Sequence, residues 1–222
     1  MRFTRRAWSA LLTCLLLAGC SSVSLGGSYE SSSRSPVPAG SGPGGSGASV
    51  RAIAVGAGPQ KRYSVQEQPA AGSCHYRYEH GEPLEDPACT PGAVSPAVTQ
   101  GNLKSTICRR GGYTSGVRPS TYVTGKEKRL NAVSYGYTGR MGDAEYDHLI
   151  SLQLGGDPND ARNLWVEPAD PGHAKGSGVN NKKDPVETRL HTAVCAGQVT
   201  LAQAQHAIVS DWITALSSLR LS

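Results

Sequence analysis

Apolar positions alternate with polar ones along the segment 146–154, which carries four aliphatic residues and ends at Gly155-Gly156. This loose period of two predicts an extended strand that stops at a turn. Residues 157–160, Asp-Pro-Asn-Asp, have the composition of a turn. The segment 163–166 then predicts the returning strand of a hairpin.

Two helices are predicted after this hairpin. Asp184 and Glu187 have the spacing of a capping box, with a proline between them at the first helical position, and predict a helix over 184–197. A second helix is predicted from Thr200, where Gln203 completes another capping box. Apolar residues then recur at helical spacing as far as the end of the chain.

The N-terminal third has no such periodicity. Residues 1–19 combine a basic start with an apolar stretch, which predicts a signal peptide. The sequence Leu17-Ala-Gly-Cys20 resembles a lipobox, so cleavage before Cys20 would leave that cysteine to carry a lipid. Residues 20–60, rich in Gly, Ser and Pro, predict a flexible tether. One domain is therefore expected over 61–222.

Four cysteines remain in the predicted domain, namely Cys74, Cys89, Cys108 and Cys195. An even number in an exported chain favours disulfide bonds, and three pairings are open. We favour Cys74–Cys89, which closes a local loop, together with Cys108–Cys195. A four-cysteine zinc site is the rival, although no pair has the close spacing that such sites usually use.

Positive charge is concentrated in one stretch of the chain. The chain has a net charge of +5, which falls to +2 without the arginines of the signal peptide. Residues 104–140 include eight basic residues and one acidic residue, Glu127. The basic residues are Lys104, Arg109, Arg110, Arg118, Lys126, Lys128, Arg129 and Arg140. This stretch predicts a phosphate-binding surface, with a solvated basic face as the alternative.

The polar residues around the predicted hairpin form an unusual series. Asp147 and His148 are adjacent, Asn163 follows fifteen residues after His148, and an Asn-Asn-Lys-Lys-Asp cluster spans 180–184. A one-metal phosphodiesterase needs a carboxylate for a cation, an imidazole to deprotonate water, an amide to orient it and a second ligand. The series supplies these groups in one short region.

This order and spacing resemble the HNH, or ββα-metal, endonuclease family over residues 145–195. A narrower resemblance, to small secreted bacterial proteins with an Asp-His-Leu-Ile, Gly-Gly and Asn-Leu-Trp signature, extends from residue 86 to the end of the chain. Many HNH members have histidine where Asn181 stands, with Asn180 as the neighbouring candidate. An amide oxygen suits a hard cation such as Mg²⁺ and argues against zinc.

The resemblance implies an α+β fold with a ββα-metal core, a disulfide-linked N-terminal segment and a C-terminal helix. It implies one divalent cation, Mg²⁺ or alternatively Mn²⁺, on Asp147 and Asn181. His148 would be the general base, Asn163 would orient it, and Lys183 would contact phosphate or remain solvated.

The expected protein is a lipid-anchored, monomeric nuclease of the cell envelope. It would touch the membrane only through the lipid on Cys20 and cut DNA, or RNA, with little sequence specificity. The alternatives are a catalytically silent binding module of the same fold and a phosphoesterase for a cell-wall or lipid phosphate.

Overall fold

Short strands and helices alternate along the chain, giving a mixed α and β architecture. The computed structural model describes residues 52–179 and 181–221. Within these ranges the strands are β1 (Ala54–Val55), β2 (Arg77–Glu79), β3 (Glu82–Leu84), β4 (Ala93–Val94), β5 (Glu145–His148) and β6 (Leu164–Glu167). The α-helices are α1 (Thr121–Ser134), α2 (Lys183–Cys195), α3 (Leu201–Ser210) and α4 (Ala215–Ser218). Four short 3₁₀ helices connect them at Gln100–Ser105, Thr114–Gly116, Leu152–Leu154 and Ala161–Asn163.

The strands pair two by two. Strand β1 is parallel to β4, β2 is antiparallel to β3, and β5 is antiparallel to β6. The predicted hairpin is therefore confirmed, although the first strand ends at His148 and the remaining aliphatic residues continue into a 3₁₀ turn. Elements β5, β6 and α2 follow one another in the order strand, strand, helix.

The domain begins before residue 61. The signal peptide, Cys20 and residues 20–51 of the predicted tether lie outside the described residues, but residues 52–60 are part of the fold. Ile53 packs against the main core, and the Gly56 amide donates to the carbonyl of Val94 at 2.9 Å. The Gly58 amide donates to Asp157 at 2.6 Å. Backbone groups make most of these contacts, so composition alone did not indicate an ordered segment.

Helix α1 was not predicted, because the face that it buries is largely polar. Glu127, Asn131 and Ser134 lie on that face at helical spacing and are all buried. The Asn131 side chain accepts a hydrogen bond from the Val166 amide at 2.7 Å, and the Ser134 hydroxyl donates to Pro69 at 2.6 Å. The Asn131 amide thus satisfies backbone groups of the buried strand β6, an arrangement without a hydrophobic period.

The C-terminal helix is two helices. The capping box of Thr200 and Gln203 starts α3 as predicted. The chain leaves helical geometry at Asp211, whose carboxylate accepts hydrogen bonds from Ile213 and Thr214 and so starts a new turn. Beyond it, Trp212 is buried and donates its indole N–H to Pro83 at 3.0 Å. Helices α2 to α4 enclose the main core, and within the described ranges none is long and apolar enough to span a bilayer.

Both disulfides have the favoured pairing. Cys74 is joined to Cys89, 15 residues later, and Cys108 is joined to Cys195, 87 residues later. The first lies beside Trp165, and the second ties the segment before α1 to the end of α2. Two disulfides indicate that the protein matures in a non-reducing compartment.

Candidate active site

The hairpin places Asp147 and His148 on opposite faces, because side chains alternate along a strand. Asp147 lies across from Trp165 in the β5–β6 register, and His148 lies across from Leu164. Both side chains are buried. The two neighbours in sequence therefore meet different surroundings, Asp147 towards α2 and His148 towards the turn at 157–160.

The imidazole of His148 is held by a backbone carbonyl. Its Nε2 lies 3.1 Å from the carbonyl oxygen of Pro158. Since a carbonyl oxygen only accepts, Nε2 carries the proton and donates it. Burial lowers the pKa of His148 to about 4, against the opposing effect of Asp147, so the ring is neutral near pH 7. A neutral ring protonated on Nε2 has its basic lone pair on Nδ1, which is the form a general base requires.

Asn163 acts on this histidine indirectly. Its Oδ1 accepts from the Ile150 amide at 3.0 Å, and its Nδ2 donates to the carbonyls of Ile150 and Asp157 at 3.0 and 3.1 Å. That Asn163 orients His148 stays a prediction, and these hydrogen bonds give it an indirect route. The amide joins Ile150 to Asp157, the residue before Pro158, and the Pro158 carbonyl contacts the ring.

The Gly155-Gly156 turn has a steric reason. Gly155 has a φ of 74°, in the left-handed region that favours glycine. A Cβ atom on Gly156 would lie only 1.7 Å from the carbonyl oxygen of Ile150. Glycine at both positions lets the loop close over the Asn163 side chain.

Lys183 is buried at the centre of the acidic groups. Its side chain is 1 % exposed, and Nζ donates to Asp147 Oδ2 at 2.7 Å, to the His148 carbonyl at 2.9 Å and to Glu187. The solvated position considered from sequence is thus wrong. Although burial opposes the charge, Asp147 and Glu187 raise the pKa of Lys183 above its ordinary value. The ammonium group balances carboxylates that would otherwise repel one another.

Asn181 precedes α2 and caps it. Its Oδ1 accepts from the Asp184 amide at 2.9 Å, and its Nδ2 donates to Glu145 Oε2 at 2.7 Å. The predicted capping box of Asp184 and Glu187 is wrong, because the helix begins at Lys183, two residues before Pro185, and Glu187 turns inward to that lysine. Asn180 lies outside the described residues.

Two glutamates complete the acidic cluster, and neither belongs to the polar series identified in the sequence. Glu145 and Glu167 face each other across the hairpin. Burial, followed by the charge of Asp147, raises the pKa of Glu145 to about 7. Glu167 is buried with no hydrogen-bond partner for either carboxylate oxygen among the described residues, and burial raises its pKa well above the ordinary range. Both could have been found as period-two neighbours of Asp147 and Trp165.

The side chains beside the hairpin carry oxygen atoms, which are the ligands that hard divalent cations prefer. Asp147, Asn181, Glu145 and Glu167 supply these oxygens, and both carboxylate oxygens of Glu167 lack a hydrogen-bond partner among the described residues. Their carboxylates do not form one of the close groups of three or more ligand atoms found in the described part of the chain. Glu145, adjacent to Asn181, supplies a further carboxylate oxygen. Oxygen donors of this kind suit Mg²⁺ or Mn²⁺ and not a soft metal.

A second candidate metal group lies elsewhere. In the part of the chain that the structure describes, Cys108, His191 and Cys195 have ligand atoms within 4.8 Å of one another. The two sulfur atoms are bonded to each other, and His191 Nε2 lies 2.9 Å from the Ile107 carbonyl. In the oxidised protein this group therefore has no thiolate to offer a metal.

Comparison of the chain with protein-family models, with curated proteins and with solved structures gave no match. The functional conclusions below therefore depend on the residues and their geometry.

Proposed function

We propose that this protein is a metal-dependent endonuclease of the HNH type that hydrolyses phosphodiester bonds. The observation that carries the proposal is the bond between His148 Nε2 and the Pro158 carbonyl. It leaves a neutral imidazole with a basic Nδ1 at the end of β5, one residue after Asp147, whose carboxylate belongs to the acidic cluster on the other face of the hairpin. A base and an oxygen-ligand set at adjacent residues are what metal-assisted phosphodiester hydrolysis requires.

In the proposed reaction His148 Nδ1 takes a proton from a water molecule, and the resulting hydroxide attacks phosphorus opposite the leaving 3′ oxygen. Asn163 keeps the Pro158 loop in place and so fixes the ring. Asp147 and Asn181 would hold the cation, with Glu145 as a further oxygen donor. A bound Mg²⁺ would supply positive charge to the phosphate and the departing oxygen. Lys183 balances the buried carboxylates beside this site.

The proposed substrate is DNA, or RNA, cut with low sequence specificity, because these residues contact the phosphodiester and not the bases. The proposed location is the cell envelope, with the monomeric domain exported and anchored by a lipid on Cys20. The two disulfides support a location outside the reducing cytoplasm.

Cleavage with and without a divalent cation tests the proposal. The purified protein is expected to nick supercoiled plasmid in the presence of Mg²⁺ or Mn²⁺ and to lose this activity in excess chelator. RNA of similar length is the parallel substrate, and p-nitrophenyl phosphate esters report a general phosphoesterase. Absence of plasmid and RNA cleavage at every divalent cation tried would reject the nuclease.

Asn181→Ala is expected to raise the Mg²⁺ concentration needed for half-maximal cleavage, because it removes an amide oxygen from the ligand set. Asn181→His is expected to retain cleavage and to shift metal preference towards Mn²⁺, Co²⁺ or Ni²⁺, which imidazole suits better. The measurement is a metal titration of the initial cleavage rate for each variant.

Asn180→Ala serves as the matched control for these variants and is expected to change the titration much less. Since Asn181 also caps α2, thermal unfolding is recorded for each variant so that lost stability is not mistaken for lost affinity. If Asn180→Ala raises the Mg²⁺ requirement and Asn181→Ala does not, the metal ligand is Asn180 and not Asn181.

One observation favours the second candidate, a catalytically silent binding module. Lys183 Nζ already donates a hydrogen bond to Asp147 Oδ2, and both polar side-chain atoms of Asn181 are hydrogen-bonded within the protein. A site whose charges are balanced internally has less need of a cation. Nucleic-acid binding without cleavage in the assays above would select this candidate.

A further inference from the structure

The structure divides the basic stretch of residues 104–140 into separate parts. The Lys128 ammonium donates to the carbonyls of Met141 and Ala144, each at 2.6 Å, and is committed to the fold. Arg140 pairs with Asp143 at 3.5 Å. The predicted basic surface therefore does not act as one continuous patch.

A groove with a volume of about 570 Å³ collects basic side chains that the sequence did not group. We call it the basic groove; residues 60–65 form one wall, and side chains from 116–123 form the other. Lys61, Arg62 and Arg118 line it, all three exposed, and no acidic residue is among its described lining residues. Lys61 and Arg62 lie far before the predicted basic stretch of residues 104–140 along the chain.

The walls of the groove are fixed before any ligand arrives. The Tyr63 hydroxyl donates to the Val117 carbonyl at 2.6 Å and joins the two walls. The Gln66 amide donates to the buried carboxylate of Glu127 at 2.8 Å, which ties the first wall to α1. A groove held in this way loses little conformational entropy on binding.

The basic groove adjoins the candidate active site. The Asn159 side chain donates to the Ser64 carbonyl at 2.8 Å, so one wall is bonded to the residue next to Pro158. Pro158 in turn holds His148.

An exposed aromatic ring stands at the rim. Tyr122 lines the groove and is 67 % exposed, with the Lys126 ammonium 4.3 Å from its ring centre. Rings of this kind stack on unpaired bases, while neighbouring cations follow the phosphates. Three cations, one exposed aromatic ring and a concave shape fit a strand of nucleic acid.

We propose that the basic groove binds the phosphodiester backbone of a nucleic-acid strand and leads it to His148, with Tyr122 stacking on a base. The proposal rests on the proposed function, for which it names the binding surface. An anionic membrane is the less suitable partner, because a lipid surface would have to follow a concave wall. Free phosphate would occupy only a small part of the volume.

The test is binding in the presence of chelator, so that no strand is cut. Fluorescence anisotropy of a labelled 20-nucleotide single strand, and of the matching duplex, is measured from low to moderate salt for the full chain. Lys61→Ala/Arg62→Ala is expected to weaken binding at each salt concentration. It is expected to reduce the slope of log K against log salt for the single strand by about 1.4, or ~0.7 for each lost phosphate contact.

Lys104→Ala/Arg110→Ala is the control, since it removes the same charge from exposed residues outside the groove. It is expected to leave the slope nearly unchanged, and Tyr122→Ala to weaken the single strand more than the duplex. The proposal would be overturned if both double variants lost the same affinity for the labelled strand, or if neither lost any. It would also be overturned if the groove bound phosphatidylglycerol vesicles and the protein did not bind DNA. Groove-dependent DNA binding without Mg²⁺-dependent cleavage would support the groove and reject the nuclease.

Discussion

His148→Ala is expected to lower the rate of plasmid cleavage by about 10²–10⁴-fold, the usual effect of removing a general base. The reason is specific to the ring: its Nε2 is committed to the Pro158 carbonyl, so its Nδ1 is the nitrogen available for the proton of water. The measurement is the initial rate of nicking at saturating Mg²⁺. A cleavage rate equal to that of the unmodified protein would remove His148 from the mechanism.

The controls separate chemistry from folding. His148→Gln retains a side-chain N–H that can donate to the Pro158 carbonyl but offers no base, so its cleavage should be as poor as that of the alanine variant. His206→Ala changes a histidine on α3, away from the hairpin, and should cleave normally. Thermal unfolding of each variant shows whether lost activity accompanies lost structure.

Lys183→Met is expected to lower the free energy of unfolding by ~3–5 kcal/mol, the usual cost of removing one partner from a buried ion pair. Methionine approximates the volume of the lysine stem but leaves Asp147 and Glu187 without their cation. Urea denaturation at neutral pH measures the loss. Added Mg²⁺ should restore part of it, since a cation bound only by the folded state stabilises that state.

Lys182 provides the matched control. It is the preceding residue, its side chain is 60 % exposed, and it pairs with Glu82, whose side chain is 11 % exposed. Lys182→Met should therefore lower the free energy of unfolding much less than Lys183→Met does. If the two substitutions lowered the free energy of unfolding equally, the burial of the Lys183 charge would have no separate effect on stability.

The sequence predicted the elements that have a hydrophobic period or a turn signal. The β5–β6 hairpin, the capping box that starts α3 and the cysteine pairing all follow from local patterns or from spacing along the chain. The Gly155-Gly156 turn was also predicted, but its close approach to Ile150 became apparent only in three dimensions.

The parts that the sequence did not predict depend on polar side chains that bind distant backbone. Asn131 on α1 contacts β6, 35 residues away, and Asp157 contacts Gly58, 99 residues away. Neither contact produces a periodic pattern. The same holds at the candidate site, where a carbonyl of Pro158 holds His148 and any residue type could have supplied that carbonyl.

The Cys108–Cys195 disulfide closes a covalent ring around the hairpin. The ring also contains residues 171–179, a largely exposed stretch without helix or strand, where proteases cut most readily. A single cut there would give a two-chain molecule in place of two separate fragments, with His148 on one chain and Asn181 on the other. The halves of the candidate site would stay joined after such a cut, so reduction of this bond would be needed to part them.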